Sequence, residues 1–231
     1  MSRRRALQTL AVFWHFRYYL LATALALALW ESAVLLPFRL FVVMVHEVCH
    51  ATAALLTGGQ VGQVRMAADE SGATLTRGGV FPVVASAGYV GSALLGSLLI
   101  AAGSLPQVQR LLLLVIGGTT MGITMKYTPA GGLDFYLGIF GGLLLVSMAL
   151  KSQRAGTAGA IWLGVVLCLY SLHDFRTDLW LHAELTDAGL LAAYWGARWL
   201  AYPIALVWVL GSVWLMSRAM RSLVRHHQRP G

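Results

Sequence analysis

The chain has 231 residues, of which 58% are hydrophobic and only 11% are charged, and its mean hydropathy is +0.70. Because a soluble domain carries charge on roughly a quarter of its residues, this composition excludes a soluble globular protein. Apolar stretches long enough to cross a bilayer recur along nearly the whole sequence and leave no segment for a separate soluble domain of about 100 residues. The sequence therefore predicts a single multi-pass domain over residues 1–231, embedded in the lipid bilayer of the cell (cytoplasmic) membrane.

The net charge of +8 is accompanied by arginines that cluster near the two ends of the chain, at residues 3–5 and 218–229. Positive charge that flanks apolar helices normally sets the membrane topology and attracts anionic lipid headgroups. We therefore interpret residues 1–17 and 218–231 as basic flanking tails, and we expect no nucleic-acid partner.

Seven apolar segments are predicted to form helices. In chain order they are residues 18–35, 38–57, 80–103, 110–126, 133–150, 157–173 and 192–217. Seven spans would place the two basic termini on opposite sides of the membrane, whereas the positive-inside rule prefers both on the cytoplasmic side. We therefore expect an all-α fold with about six to seven transmembrane helices, in which at least one segment is re-entrant, tilted or split.

The second segment contains His46, Glu47 and His50 in the order H-E-V-C-H, the H-E-x-x-H pattern. Residues four apart on a helix lie on the same face, so both imidazoles can hold a single metal ion with Glu47 beside it. In that position Glu47 can take a proton from a metal-bound water, which is why this spacing is typical of zinc hydrolases. Burying two histidines and a carboxylate in an apolar segment is costly unless they have a partner, so we predict one bound zinc ion.

A glycine-rich segment, residues 58–79, follows the motif helix. Within it, alternating apolar residues stand on both sides of a polar turn at residues 69–72. This pattern predicts a short β-hairpin over residues 60–76 that lies near the motif helix, although the composition is equally consistent with an ordinary surface loop. The free edge of a hairpin can receive an extended substrate segment by strand addition, which would present a peptide bond to the metal.

Small residues recur at four-residue intervals in three of the predicted helices. They are Gly88, Ser92 and Gly96 in the third helix, Gly118 and Gly122 in the fourth, and Gly138 and Gly142 in the fifth. This spacing lets another helix approach closely, and the motif helix is the expected neighbour of the third helix.

A catalytic zinc site normally has three protein ligands, so the two histidines require a third ligand from another part of the chain. Asp134 begins an apolar helix, while Asp174 and Asp178 share one face at the end of another helix. One of that pair can bind metal while the other orients a histidine. Asp178 can equally pair with Arg176 or with solvent. Either Thr186 or Asp187 can cap the last helix, so Asp187 is interpreted as mostly structural.

Four motifs stand in order along the chain: H-E-V-C-H-A-T-A-A-L-L-T-G-G, S-A-G-Y-V-G-S-A-L-L-G, S-L-H-D-F-R-T-D-L and L-T-D-A. Together, over roughly residues 40–215, they resemble the M50B-like membrane metallopeptidases, relatives of the site-2 proteases. The resemblance implies an intramembrane zinc peptidase fold, with His46 and His50 as metal ligands and Glu47 as the catalytic base.

The third ligand is where this chain departs from its relatives. Site-2 proteases usually supply it from an Asp in a Leu-Asp-Gly motif, but here Leu133 and Asp134 are followed by Phe135. We therefore favour Asp174, which lies in a segment that resembles the M50B-like pattern, ahead of Asp134 and then Asp178.

These features predict an intramembrane zinc metalloprotease that hydrolyses peptide bonds of membrane-associated substrates, with a transmembrane protein as its substrate partner. Such a substrate has to unwind locally, because the amides of a helix are hydrogen-bonded and shielded. Two alternatives are a catalytically inactive metal-binding membrane scaffold and a metal-ion transporter. A transporter should show polar residues along one route through several helices, whereas here they cluster in one helix and at one helix end.

Overall fold

The computed structural model describes the backbone of residues 3–181 and 186–228, and the side chains of residues 16–173 and 186–224. These ranges form eight α-helices and two β-strands. In chain order the elements are α1 (Arg3–Ala28), α2 (Leu36–Leu56), β1 (Gln60–Met66), β2 (Gly72–Arg77), α3 (Phe81–Ala101), α4 (Pro106–Tyr127), α5 (Leu133–Lys151), α6 (Gln153–Leu181), α7 (Asp187–Tyr194) and α8 (Ala201–Gln228). The structure confirms the predicted fold class, a helical membrane protein with a short hairpin after the motif helix.

Among the described residues, six helices, α2 to α6 and α8, are long and apolar enough to cross a membrane. In the described part of α1 the apolar stretch covers only Phe16–Ala28, which is shorter than the roughly 20 residues that a span requires. The six long apolar helices show that the protein is an integral membrane protein. If these six helices cross the bilayer, the start of α2 and the end of α8 lie on the same side.

The predicted helix at residues 192–217 is wrong at its start, because the structure contains two helices there. Helix α7 ends just before Gly196, whose φ of +71° is the left-handed conformation that commonly ends a helix. Helix α8 begins at Ala201 and carries Pro203 in its first turn, where a missing N–H costs no hydrogen bond. Helix α7 is therefore a separate short helix, and its first residue, Asp187, contacts His46 of the motif helix.

Small residues bring α3 close to two neighbours. A Cβ atom added to Gly91 would lie 3.0 Å from Cys49 of α2, and one added to Gly96 would lie 2.8 Å from the sulfur of Cys168 in α6. Helix α3 therefore packs between the motif helix and α6, and the predicted contact between the second and third helices is confirmed.

Helices α4 and α5 also meet through small residues. A Cβ atom added to Gly142 of α5 would lie 2.7 Å from the carbonyl oxygen of Gly117 in α4, and Gly138 packs directly on Thr124. The expected role of Gly118 and Gly122 is wrong, because a Cβ atom at either position would meet nothing within 4 Å. In α4 the glycine that packs against α5 is Gly117, one residue before the predicted Gly118.

Strands β1 and β2 form an antiparallel hairpin that runs back along α2. At its base the amide of Gly59 donates to a carbonyl in the last turn of α2. Along its length Thr74 reaches Glu47, and at its tip Glu70 lies 2.9 Å from the guanidinium of Arg39 in the first turn of α2. The hairpin thus lies beside α2, a helix long and apolar enough to cross a membrane. Its presence confirms the predicted strands.

The two strands of the hairpin have different surroundings. Strand β1 packs against α2, α4 and α5, and its Arg65 Nε lies 2.8 Å from a carboxylate oxygen of Asp134 at the start of α5. In strand β2, Ala73 and Leu75 are exposed, and within the described part of the chain β1 is its only hydrogen-bonded strand neighbour. The open edge of the hairpin is therefore the outer edge of β2.

Candidate metal centre

Helix α2 carries the H-E-x-x-H motif in its middle, where its polar side chains are buried. His46, Glu47 and His50 have exposed fractions of 8%, 5% and 6%. One helical turn separates the two histidines, so their imidazoles project from the same face. Their Nε2 atoms lie 3.1 Å apart, which directs both nitrogens to one point.

A third atom that can bind a metal comes from Asp187, the first residue of α7. Its Oδ2 atom lies 3.1 Å from Nε2 of His46 and 3.0 Å from Nε2 of His50. Ligands placed about 2.0–2.1 Å from one tetrahedral zinc ion lie about 3.3 Å from each other, so this triangle has nearly the size that zinc requires. Among the described side chains, these three form a group that can hold a metal ion.

The ring of His50 is oriented by helix α3. Its Nδ1–H donates to the carbonyl oxygen of Val84 at a distance of 2.7 Å. Because a carbonyl can only accept, Nδ1 carries a proton, and in the neutral ring Nε2 presents its lone pair to the centre. This is the tautomer that a metal ligand needs.

Gly88, one turn beyond Val84 on α3, keeps the centre open. A Cβ atom at this position would overlap Nε2 of both His46 and His50. The absence of a side chain therefore leaves the space in front of both ring nitrogens free. Tyr89 then covers the ring of His46 edge-on, with 5.0 Å between ring centroids.

Asp187 is placed by the cap and the packing of α7. The hydroxyl of Thr186 caps the helix by accepting from the amide of Gly189 at 3.1 Å, so the carboxylate of Asp187 is not used for capping. Helix α7 packs against α3 and α8, with Ala188 and Ala205 buried between them. Burial by itself would raise the pKa of Asp187, but His50 and His46 beside it hold that pKa below its usual range. Asp187 is therefore ionised, as a metal ligand has to be.

Glu47 lies next to the ligand pair and is held by the hairpin. The hydroxyl of Thr74 in β2 donates to Glu47 Oε2 at 2.7 Å. Gly72, at the start of the same strand, lies directly against the Glu47 carboxylate, where a Cβ atom would overlap Oε1. The carboxylate is therefore buried, oriented and close to the two histidines.

The residues predicted from the sequence have different outcomes. The structure brings His46, Glu47 and His50 together as expected. Asp134 is buried but pairs with Arg65, and the side chains of Asp174 and Asp178 lie outside the described residues. Asp174 therefore stays a prediction.

The carboxylate that converges on the histidines among the described residues is Asp187, which sequence reasoning had interpreted as mostly structural. The structure assigns the cap to Thr186, one of the two residues expected for this role, so the alternative that Asp187 is the cap is wrong. The one sequence feature that contains Asp187 is the L-T-D-A motif, one of the four on which the family resemblance rests, and by itself it does not distinguish a ligand from a structural residue.

Comparison with known proteins supports the family that the sequence motifs resemble. A family model described as Peptidase M50B-like matches residues 19–220, more than four fifths of the 231-residue chain. The matched range includes the motif helix, the hairpin and α7, and therefore every residue of the metal centre. No curated protein and no solved structure matches the chain.

Proposed function

Because the chain belongs to the Peptidase M50B-like family, we propose that it is a membrane zinc metalloprotease that hydrolyses peptide bonds of membrane-associated substrates. The observation that carries this proposal is the convergence of two imidazoles and one carboxylate beside Glu47. These four residues have the types and the arrangement that metal-assisted peptide hydrolysis requires.

The donor set fits zinc. Two imidazole nitrogens and one carboxylate oxygen are ligands typical of a catalytic zinc site, which keeps a fourth position open. The three ligand atoms lie 3.0–3.1 Å apart, and Gly88 leaves the space in front of the two ring nitrogens free. When bound, zinc supplies Lewis-acid chemistry that polarises a water molecule and the scissile carbonyl.

Each protein residue at the proposed site has its own role. His46, His50 and Asp187 hold the ion, and Val84 fixes the tautomer of His50. The Glu47 carboxylate accepts a proton from the attacking water and passes it to the leaving amine. Burial of Glu47, at 5% exposed, excludes bulk water from the proton-transfer step.

The proposed substrate is a transmembrane protein with a locally unwound segment. The open edge of β2 supports this proposal, because an extended segment that paired with it would lie beside Thr74, whose hydroxyl contacts Glu47. Strand pairing would also keep the substrate's backbone hydrogen bonds satisfied within the membrane.

The test uses Glu47→Gln and His46→Ala in the full-length protein, purified in lipid nanodiscs. Zinc is measured by inductively coupled plasma mass spectrometry, and turnover is measured with fluorescein-labelled β-casein, an unfolded protein that presents extended peptide bonds. Glu47→Gln keeps the side chain's shape, so it should retain zinc and lose at least about 100-fold in turnover, the scale of general-base removal. His46→Ala should lose the metal as well.

The comparison between the two variants separates an enzyme from a non-catalytic metal protein. If Glu47→Gln cleaves casein like the wild type while His46→Ala is defective, the site is a structural or transport metal site. That result would remove the protease proposal.

A further inference from the structure

Glu47 of α2, the general base of the proposed enzyme, is held by Thr74 of strand β2. The hydroxyl oxygen of Thr74 lies 2.7 Å from Oε2 of Glu47 and 3.1 Å from the backbone carbonyl oxygen of Glu47. The shorter contact has the length expected for a hydroxyl that donates to a carboxylate oxygen. Thr74 is 27 residues away in sequence, so this bond exists only when the hairpin lies against α2.

Two further features fix the hairpin in the position that makes this contact. Gly72 lets strand β2 approach the Glu47 carboxylate without a side chain between them. The hairpin is also tied at its tip, through Glu70 and Arg39, and along β1, through an ion pair with α5. The hydroxyl of Thr74 therefore has little freedom to leave Glu47.

We propose that Thr74 is a positioning residue that holds the Glu47 carboxylate in the rotamer from which it accepts the proton of the attacking water. This role rests on the proposed function. A glutamate has three rotatable side-chain bonds, and productive proton transfer requires the base to be held within about 0.5 Å of its working position. The hydrogen bond from Thr74 selects that rotamer before substrate arrives.

The test compares three variants in zinc-loaded, full-length protein in lipid nanodiscs, with fluorescein-labelled β-casein as substrate. Thr74→Val keeps the shape and removes the hydroxyl, whereas Thr74→Ser keeps the hydroxyl. Thr120→Val is the matched control, because Thr120 is a fully buried threonine whose hydroxyl has no hydrogen-bond partner among the described residues.

A positioning role predicts a selective loss of kcat. Thr74→Val should lower kcat by about 10- to 100-fold, the scale of one hydrogen bond to a charged group, while KM changes by less than about threefold. Zinc content should stay at the wild-type value. Thr74→Ser should keep most of the wild-type kcat, and Thr120→Val should match the wild type.

A double-variant comparison tests whether Thr74 acts through Glu47. In the Glu47→Gln background, Thr74→Val should cause no further loss of kcat, because the base is already absent. A parallel cycle measures thermal unfolding midpoints of metal-free protein for Thr74→Val, Glu47→Leu and the double variant. The shift of the double variant should be smaller than the sum of the single shifts; additive shifts would overturn the hydrogen bond on which the proposal depends.

The outcomes separate this proposal from the proposed function. If the wild type and Glu47→Gln act alike on casein, the proposed function fails and the positioning role falls with it. If Glu47→Gln is inactive but Thr74→Val keeps the wild-type kcat, the protease proposal stands and the positioning role is overturned. Equal losses in Thr74→Ser and Thr74→Val would also overturn it, because the serine hydroxyl can still donate.

Discussion

Gly88→Ala tests the metal centre while leaving every proposed ligand in place. The new methyl carbon would overlap Nε2 of both His46 and His50. It would occupy the space in front of the ring nitrogens, which is where a shared ion has to bind. We therefore expect this single methyl group to prevent zinc binding.

The size of the expected loss of zinc affinity follows from the distances between the new methyl carbon and the two imidazoles. To restore ordinary van der Waals contact with the methyl carbon, each imidazole has to retreat by about 1 Å. Metal–ligand distances tolerate only about 0.2 Å, so the retreat cannot preserve the coordination geometry. The bond from His50 to the carbonyl of Val84, 2.7 Å long, opposes the movement further. Zinc affinity should fall by at least about 100-fold, and overpacking should cost about 1–3 kcal/mol of stability.

The assay is zinc titration of the metal-free protein with a competing chelator, together with thermal unfolding. Gly118→Ala is the matched control, because a Cβ atom at Gly118 in α4 meets nothing within 4 Å. That variant should bind zinc normally and gain up to about 1 kcal/mol of stability from alanine's better helix propensity. Normal zinc affinity in Gly88→Ala would show that the ion does not bind between the two histidines, and it would refute the assigned centre.

Two other predictions concern the third ligand and the hairpin. Asp187→Asn should lower zinc affinity by at least about 100-fold in the same titration, whereas Asp174→Asn should not; the reverse result would assign the ligand to the segment that the sequence favoured. Glu70→Gln should lower the free energy of unfolding by about 1–3 kcal/mol, because Arg39 is only 8% exposed and would keep only the more distant Glu31, at 3.8 Å. Adding Arg39→Met should recover part of that loss in denaturation experiments, since it removes the unpaired charge; a further loss would contradict the ion-pair interpretation.

The parts of the site that depend on local periodicity could be predicted from the sequence. His46 and His50 share a helix face because one turn separates them, and this holds wherever the helix packs. The hairpin was predictable for the same reason, since strand alternation on both sides of a polar turn is a local signal. Its place near the motif helix was also predicted and is confirmed. What could not be predicted is its alignment along α2, because this depends on contacts such as Glu70 with Arg39.

The approach of Asp187 to the two histidines could not be predicted because it depends on tertiary structure. Asp187 stands 141 residues from His46, and its approach requires that the last apolar segment break into α7 and α8 at Gly196. From the sequence, an aspartate after a threonine at a helix start is explained equally well as a cap. The structure assigns the cap to Thr186, which leaves the carboxylate of Asp187 available for the metal centre.

The polar groups of the site come from four separate elements, and this distribution has an energetic consequence. Helix α2 supplies the two histidines and Glu47, α3 supplies a carbonyl, α7 supplies a carboxylate and β2 supplies a hydroxyl. Each of these groups is costly to bury alone, and each is satisfied here by one of the others. Removing one partner therefore leaves another unsatisfied, so the effects of substitutions within the site should not add. The same coupling ties the hairpin to the motif helix, because displacement of β2 would break the bond from Thr74 to Glu47. A substrate that bound at the edge of β2 would therefore pair with a strand whose Thr74 is hydrogen-bonded to Glu47, the proposed general base.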